Sequence, residues 1–318
     1  MRTSSRLRPP PTRVRVFVPG SIGNVGPGLD ILGLAVRGLG DTVRAERIPG
    51  RRVEIRDPGH PDLPKAASHH ASAIAARAAI RLAGQGGEVG MAIWLEKGLP
   101  LSGGQGGSAA SAVAGAVAAN VLMGSPLGAD GLLLAALAAE SKLAGRHLDN
   151  IAPALLGGLV LIRALDPLDV VCLPTPTRMH IVLAKPDYQL ATKRGRALLP
   201  NDIDRATALH QAATVAAMVA AAYRNDLPLF GRSIDDRIAE PARAPSLPGF
   251  VAAKRAALRA GALGCSISGS GPTLFAIASS RRTAAAVGVA IRGAYARAGY
   301  RTEIRLTVPD LAGARVLR

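Results

Sequence analysis

A glycine-rich segment in the middle of the chain constrains the fold more than any other stretch. It runs from Pro100 to Ser111 as Pro-Leu-Ser-Gly-Gly-Gln-Gly-Gly-Ser-Ala-Ala-Ser and leads into an alanine- and valine-rich stretch at 112–122. Glycine costs about 1 kcal/mol in a helix interior, so four glycines in the five positions 103–107 predict a tightly curled loop. The residues behind it are strong helix formers. A loop at a helix N-terminus collects free N–H groups and the positive end of the helix dipole, so the segment predicts a phosphate site.

The spacing of these glycines excludes two familiar nucleotide-binding motifs. No Gly-Lys-Ser or Gly-Lys-Thr closes the loop, as a Walker A motif requires, and the glycines do not follow the dinucleotide-binding pattern. A flexible linker before an alanine-rich helix is equally compatible with the segment taken alone.

The composition favours a folded protein without a membrane span or a cysteine metal site. The 318 residues are 48% hydrophobic, which is enough for two compact domains or one large domain. Cys172 and Cys265 lie far apart, so neither a disulfide framework nor a metal site is predicted. No apolar run reaches the roughly 18 residues that indicate a membrane helix. The basic, proline-rich residues 1–12 predict a disordered tail instead of a secretory signal, and the cytoplasm is the expected compartment.

The chain is strongly basic, with 39 Lys and Arg against 22 Asp and Glu and a net charge of +17. Such a charge favours non-specific binding of nucleic acid. The basic residues are spread along the whole chain, however, and the few aromatic residues do not alternate with them as stacking platforms would. A solvated, arginine-rich surface is therefore the preferred interpretation.

The periodicity of apolar residues predicts alternating strands and helices, which indicates an α/β or α+β architecture. The predicted strands cover 13–18, 31–36, 42–48, 52–56, 90–96, 155–162, 180–184, two segments within 264–277, and 301–308. The predicted helices cover 66–83, 108–123, 128–143, 202–225, 247–260 and 281–298. A proline-rich loop at 166–177 predicts a domain boundary, which divides the chain into a tail at 1–12, an N-terminal domain at 13–171 and a C-terminal domain at 172–318.

Three glycine-rich loops, at 19–30, 100–111 and 264–273, resemble in order and spacing the three motifs of the GHMP kinase superfamily. The middle loop is similar to the signature Pro-x-x-x-Gly-Leu-Gly-Ser-Ser-Ala, and the last to the Ser-Gly-Ser-Gly-Pro turn. Within the superfamily, segment 19–34 resembles the first motif of homoserine kinases. The stretch from His147 to Leu161 is similar to their His-x-Asp-Asn-x-Ala-Pro-x-Leu-Leu-Gly-Gly sequence. The resemblance extends from Arg13 to about residue 307.

This resemblance implies an α+β protein of two domains. The N-terminal domain would resemble domain 2 of ribosomal protein S5, and the C-terminal domain would be ferredoxin-like, with ATP and the acceptor in the cleft between them. The implied reaction is the ATP- and Mg²⁺-dependent phosphorylation of the L-homoserine hydroxyl, the step before threonine synthase. The alternatives are another GHMP kinase acting on an amino alcohol or a mevalonate-type acceptor, a nucleic-acid-binding protein with an S5-like fold, and an inactive homologue. The family also suggests a homodimer.

The resemblance assigns the nucleotide phosphates and the metal to specific residues. The phosphate loop would comprise Pro100, Leu101, Ser102, Gly103, Gly104, Gln105, Gly106, Gly107, Ser108, Ala109 and Ala110. Glu140 matches the glutamate that binds the metal, and Ser108 the serine that contacts phosphate or magnesium. Phosphoryl transfer requires chiefly positioning and charge neutralisation, and Mg²⁺ prefers such oxygen ligands. Gly269, Ser270 and Gly271 would form a backbone wall near the phosphates.

The acceptor site is implied in the same way. A carboxylate calls for arginine, an ammonium group for a carboxylate, and a hydroxyl for an oriented hydrogen-bond partner. The matching residues are Asn24, Asp30, His147, Asn150, Thr192, Arg196 and Arg243. Asn150 stands where mevalonate-type relatives carry an aspartate base, which implies direct attack by the hydroxyl with its proton passing to the γ-phosphate.

The chain departs from the family pattern at several positions. Gln105 and Gly107 replace the usual leucine and first serine of the phosphate loop, Gly23 replaces an alanine, and Ala242 replaces an aromatic residue. The adenine pocket, expected near 65–75, has no clear match in the sequence.

Overall fold

A computed structural model describes residues 9–84, 89–188 and 192–317, with the backbone alone for 192–194. Most of the predicted basic tail, residues 1–8, therefore lies outside the described part, while residues 9–12 lead into the first strand. In the described part no helix is long and apolar enough to cross a membrane.

The first sheet has seven strands and carries four helices. Its strands are β1 (Arg13–Gly23), β2 (Leu32–Ile48), β3 (Val53–Asp57), β4 (Gly90–Glu96), β5 (Leu159–Leu165), β6 (Leu168–Leu173) and β11 (Arg315–Leu317). Its helices are α1 (Ala71–Leu82), α2 (Gly107–Leu122), α3 (Ala129–Leu143) and α4 (Ile151–Leu156). The main path is β11-β1-β2-β4-β3, and β5 joins the end of β2 to β6. All pairs are antiparallel except β3 with β4.

The second sheet has four antiparallel strands in the order β10-β7-β9-β8. They are β7 (His180–Pro186), β8 (Gly264–Ile267), β9 (Leu274–Ala278) and β10 (Thr302–Thr307). The helices of this half are α5 (Thr192–Ala197), α6 (Arg205–Arg224), α7 (Leu227–Arg232), α8 (Ala239–Arg243), α9 (Phe250–Arg259) and α10 (Arg281–Arg297). The architecture is α+β, as predicted.

Close helix packing fixes the position of the phosphate loop. The helix that follows this loop, α2, is buried on nearly every side because its residues are small and apolar. A Cβ atom on Gly115 would overlap the carbonyl oxygen of Ser72 in α1, so only glycine permits this approach. The two sheets join through a separate core that includes Ile22, Phe230 and Phe275.

The structure differs from the predicted elements at several places. The predicted strands 31–36 and 42–48 form the single strand β2, β1 continues into the predicted loop, and α4 lies ahead of β5. The proline-rich segment 166–177 contains β6, because its prolines lie outside the strand and leave Leu168–Leu173 free to pair with β5. Thus β6 crosses the predicted boundary at 171, and the C-terminal β11 belongs to the first sheet.

Candidate active site

A cleft of about 750 Å³ joins residues that lie far apart in the sequence. Its volume is in the range of small-molecule sites. The predicted residues that line it are Asn24, Asp30, Pro100, Leu101, Ser102, Gly103, Gly104, Gly106, Gly107, Ser108, Ala109, Glu140, His147, Asn150, Arg196, Arg243, Gly269 and Ser270. Gln105, Ala110 and Gly271 are not among the lining residues, and the side chain of Thr192 lies outside the described part.

The phosphate loop presents backbone amides because of its glycines. Gly104 and Gly106 have φ values of +71° and +70°, in the left-handed region that favours glycine. Gly106 is the N-cap of α2 and supplies no side-chain cap, so the first-turn N–H groups remain available to a ligand. This geometry, with the helix dipole behind it, favours an anion.

Glu140 and Ser108, the two residues that the family resemblance assigns to the metal, meet at the end of the phosphate loop. The Ser108 hydroxyl donates a 3.0 Å hydrogen bond to Oε2 of Glu140, whose side chain is buried. Burial raises the pKa of Glu140, and the neighbouring His147 and the Ser108 hydrogen bond oppose this shift. Among the described residues no group of three or more His, Cys, Asp or Glu side chains could hold a metal ion. One carboxylate and one hydroxyl suit Mg²⁺, which commonly takes its other ligands from phosphate and water.

The segment His147–Asn150 positions an amide beside the phosphate loop. The Ser21 hydroxyl donates a 3.0 Å hydrogen bond to Oδ1 of Asn150, and Nδ2 of Asn150 donates to Oδ2 of Asp149 at 3.3 Å. The same Oδ2 accepts a 3.1 Å bond from the backbone N–H of Asn24. A Cβ on Gly23 would overlap this carboxylate, so another residue at position 23 would require the Asp149 side chain to shift.

His147 carries a pH-dependent contribution to stability. Its Nδ1 lies 3.4 Å from Oδ1 of Asp149. Burial lowers the pKa of His147, but Asp149 and Glu140 outweigh burial and raise the pKa above its usual value. A raised pKa stabilises the fold below the unfolded-state value of about 6.5 and loses this effect as pH rises through the folded-state value. We therefore expect His147→Asn to lower the melting temperature more at pH 5.5 than at pH 9. An equal decrease at both pH values would contradict this prediction.

Asp30 and Arg196 pair with each other. The Arg196 guanidinium donates bidentate hydrogen bonds of 2.9 and 2.6 Å to the Asp30 carboxylate. This bonding raises the pKa of Arg196, against the effect of partial burial. The backbone N–H of Asp30 is in turn held by Oδ1 of Asn24 at 3.1 Å. The sequence analysis assigned the two charges to opposite ends of an amino acid but did not predict their direct contact.

Arg243 is a buried cation at the cleft, with only 3% of its surface exposed. Its Nε donates to the carbonyl of Gly195 at 3.0 Å, and its Nη1 to the carbonyl of Gly269 at 2.8 Å. In the described part of the chain no carboxylate forms an ion pair with it. Burial lowers the pKa of its guanidinium, and the positive charge of Arg196 lowers it further. A buried guanidinium held by two carbonyls retains donors for an anionic ligand.

Lys97 and Asp149 also line the cleft, although neither was among the predicted site residues. Lys97 pairs with the buried Asp41 and donates a 2.7 Å hydrogen bond to the carbonyl of Gly107. Burial lowers the pKa of Lys97, and Asp41 opposes this shift. Asp149 lies between two predicted site residues, His147 and Asn150, so its position in the motif could have identified it. Lys97 is harder to identify from the sequence because it is one of many basic residues and belongs to none of the motifs.

A further part of the cleft wall includes five apolar side chains. Its residues are Asp62, Leu63, Pro64, His69, His70, Ala71, Leu143 and Ala144. Only residues 69–71 fall within the expected adenine segment 65–75, so most of this wall comes from positions that the sequence did not indicate.

Comparison with known proteins places the chain among the GHMP kinases. The family of GHMP kinases N terminal domains matches residues 71–158, and the family GHMP kinases C terminal matches residues 218–297. The homoserine kinase of Arabidopsis thaliana is 40% identical over 96% of this chain and 84% of its own length. That of Xylella fastidiosa strain M12 is 38% identical over 99% of this chain and 97% of its own length.

The fold agrees with the sequence matches. A crystal structure of homoserine kinase from Cytophaga hutchinsonii superposes with a TM-score of 0.91 and 38% identity, and all of both chains is covered. The resemblance seen in the sequence motifs and the two-domain GHMP kinase fold that it implied are thereby confirmed. By its sequence, its fold and the convergence of three glycine-rich loops on one cleft, the chain belongs to the homoserine kinase family of the GHMP kinases.

Proposed function

We propose that the protein transfers the γ-phosphoryl group of ATP to the side-chain hydroxyl of L-homoserine and produces O-phospho-L-homoserine. One observation carries this proposal: the amides of the phosphate loop share a single cleft with the buried cation of Arg243 and the Asp30–Arg196 pair. The family membership supports the same reaction, since the relatives are named homoserine kinases.

The cleft has room for a nucleotide beside an amino acid. The triphosphate would lie against the amides at 103–109, where the positive end of α2 favours anions. The apolar side chains of Leu63 and Leu143, which line the same cleft, would then receive the nucleoside. In this arrangement the γ-phosphate would lie toward Asn150.

The charges at the acceptor end suit a zwitterion. Arg243 and Arg196 would bind a carboxylate, and Asp30 or Asp149 would bind an ammonium group. The Oδ1 atom of Asp149 is buried and accepts no hydrogen bond among the described residues, but it lies 3.4 Å from Nδ1 of His147, so an ammonium group bound there would share this oxygen with the imidazole. Mevalonate carries no ammonium group and galactose carries neither charge, so both would leave part of this site unpaired.

Mg²⁺ would be held by Glu140 and Ser108 and would neutralise charge on the phosphates.

The amide of Asn150 is held by hydrogen bonds on both sides: its oxygen accepts from Ser21 and its nitrogen donates to Asp149. A neutral amide can orient a hydroxyl but cannot accept its proton. The acceptor oxygen forms a bond to the γ-phosphorus, the bond between that phosphorus and the β,γ-bridging oxygen breaks, and the hydroxyl proton passes to a γ-phosphate oxygen. Asn150 would therefore act by orientation and not as a base.

The acceptor can be tested with a coupled assay for ADP. We expect kcat/KM for L-homoserine to exceed that for mevalonate or galactose by at least about 1000-fold, because a site built around paired charges rejects ligands that leave them unsatisfied. L-2-Aminobutyrate, which lacks the hydroxyl, serves as a control that should inhibit without turnover. Preference for mevalonate or galactose would overturn the assignment.

Two further expectations accompany this proposal. We propose a cytoplasmic location, as the composition and the basic N-terminal segment suggested, and a homodimer, as the family resemblance suggested. Size-exclusion chromatography with light scattering tests the second, since a monomeric mass would exclude it.

A further inference from the structure

Two carbonyl groups of the phosphate loop accept hydrogen bonds from the hairpin between β8 and β9. The hydroxyl of Thr273 donates to the carbonyl of Gly103 at 2.5 Å, and the hydroxyl of Ser268 donates to the carbonyl of Gly104 at 2.5 Å. Both hydroxyl residues are fully buried. The loop belongs to the first half of the chain and the hairpin to the second, so these bonds join the two halves at the phosphate site.

These two bonds determine which way the loop amides point. In a trans peptide the C=O and the following N–H point in opposite directions. Because the Gly103 carbonyl points toward the hairpin, the N–H of Gly104 points away from the hairpin. In the same way, the bond to the Gly104 carbonyl turns the N–H of Gln105 away from the hairpin. A carbonyl turned into the cleft would instead repel a phosphate.

The side chain of Gln105 completes the arrangement. The one hydroxyl hydrogen of Thr273 is directed at Gly103, so its oxygen can accept the 3.2 Å bond from Nε2 of Gln105. The backbone carbonyl of Gln105 accepts a bond of 3.2 Å from the N–H of Ser21. Gln105 thus contacts both the first loop and the hairpin, in a position where the superfamily usually has leucine.

The fit between loop and hairpin leaves no space for other residues. A Cβ on Gly104 would lie 2.6 Å from the carbonyl oxygen of Ser268 and 2.8 Å from that of Gly271. The Oε1 atom of Gln105 is buried without a hydrogen-bond partner in the described part. An unsatisfied buried acceptor costs stability, so a glutamine here needs a reason other than packing.

We propose that Gln105, Ser268 and Thr273 are positioning residues that form a carbonyl latch, which holds the phosphate-loop amides in the orientation that binds a triphosphate. The latch rests on the proposed function only in taking this loop as the nucleotide site. It makes phosphate affinity depend on the hairpin of the second sheet, although no residue of the latch needs to touch the nucleotide.

The central test compares Thr273→Val, which removes the hydroxyl at nearly constant volume, with Thr273→Ser, which retains it. Calorimetric titration with inorganic tripolyphosphate measures the loop without any acceptor. We expect Thr273→Val to raise the Kd for tripolyphosphate and the KM for ATP about 5- to 20-fold, while the KM for the acceptor changes less than twofold. Thr273→Ser should stay within about twofold of the wild type.

The contribution of Gln105 is tested by a double-mutant cycle. Gln105→Leu should raise the tripolyphosphate Kd about three- to fivefold. The double variant with Thr273→Val should be no weaker than Thr273→Val alone, because the Gln105 side chain acts on the Gly103 carbonyl only through the Thr273 hydroxyl. Additive effects would overturn the role given to Gln105. If Thr273→Val does not fold, Ser268→Ala tests the second carbonyl with the same expected loss.

The outcomes separate this inference from the proposed function. An unchanged tripolyphosphate Kd in Thr273→Val and Ser268→Ala overturns the latch even if L-homoserine is the substrate. Equal increases in the KM values for ATP and acceptor also overturn it, because they indicate general damage to the site. Weakened tripolyphosphate binding in a protein that does not phosphorylate L-homoserine supports the latch and rejects the substrate.

Discussion

Replacing Arg243 by alanine is expected to lower kcat/KM for L-homoserine by two to three orders of magnitude, mainly through KM. The guanidinium is buried and makes two bonds to backbone carbonyls, so its remaining donors are held in place for an anion. A hydrogen bond between charged groups contributes roughly 1.5–3 kcal/mol, and two such bonds to a carboxylate account for the expected loss. The KM for ATP should change less than about threefold, because the proposed nucleotide site is formed by the phosphate loop and not by Arg243.

Two control variants make this measurement specific. Arg243→Lys keeps a charge but cannot reproduce the fork of donors, so we expect an intermediate loss. Arg259→Ala removes an exposed arginine of α9 and should leave both KM values unchanged. An acceptor KM within twofold of the wild type in Arg243→Ala would remove Arg243 from the site, and a parallel rise in the KM for ATP would indicate structural damage instead.

Replacing Glu140 by glutamine is expected to make the protein more stable and less active. Burial raises the pKa of Glu140, so its ionised form is disfavoured in the fold. This penalty is present above the folded-state pKa and disappears as pH falls below the unfolded value of about 4.3. The variant should therefore melt about 2–4 °C higher at pH 8, with a smaller gain at pH 5. Glutamine retains an acceptor for the Ser108 hydroxyl, so this hydrogen bond can persist.

The same substitution removes the carboxylate that would hold Mg²⁺. We expect kcat to fall at least about 100-fold at saturating ATP and acceptor, and the Mg²⁺ concentration for half-maximal rate to rise. Glu96→Gln, at an exposed carboxylate paired with Arg15, is the matched control and should preserve kcat. Wild-type kcat with an unaltered Mg²⁺ requirement in Glu140→Gln would exclude Glu140 as a metal ligand.

Sequence motifs predicted the parts of the site that local structure determines. The phosphate loop follows from glycines next to a helix, and that relation lies within a dozen residues. The family resemblance also assigned Ser108 and Glu140 to one metal, and the packing of α2 against α3 brings their side chains together. These predictions required no knowledge of how distant strands pair.

Contacts between distant segments could not be predicted in the same way. The pairing of Asp30 with Arg196 joins residues from both halves of the chain, and opposite charges in a sequence do not reveal whether they bind each other or a ligand. The sequence alone does not explain why glutamine replaces the usual leucine at position 105, because the side chain of Gln105 bonds to Thr273 in the distant hairpin. The proline-rich segment was interpreted as a loop because composition does not show that prolines can flank a strand without entering it.

The strand β11 has a consequence for how the protein is made. It covers the outer edge of β1 through pairs such as Val16 with Val316, although the two strands stand at opposite ends of the sequence. Domains emerge from the ribosome in order and begin to fold as units. The N-terminal half must therefore keep this sheet edge uncovered until Arg315–Leu317 have been synthesised. A chain shortened before Arg315 would leave the edge open to pairing with another molecule.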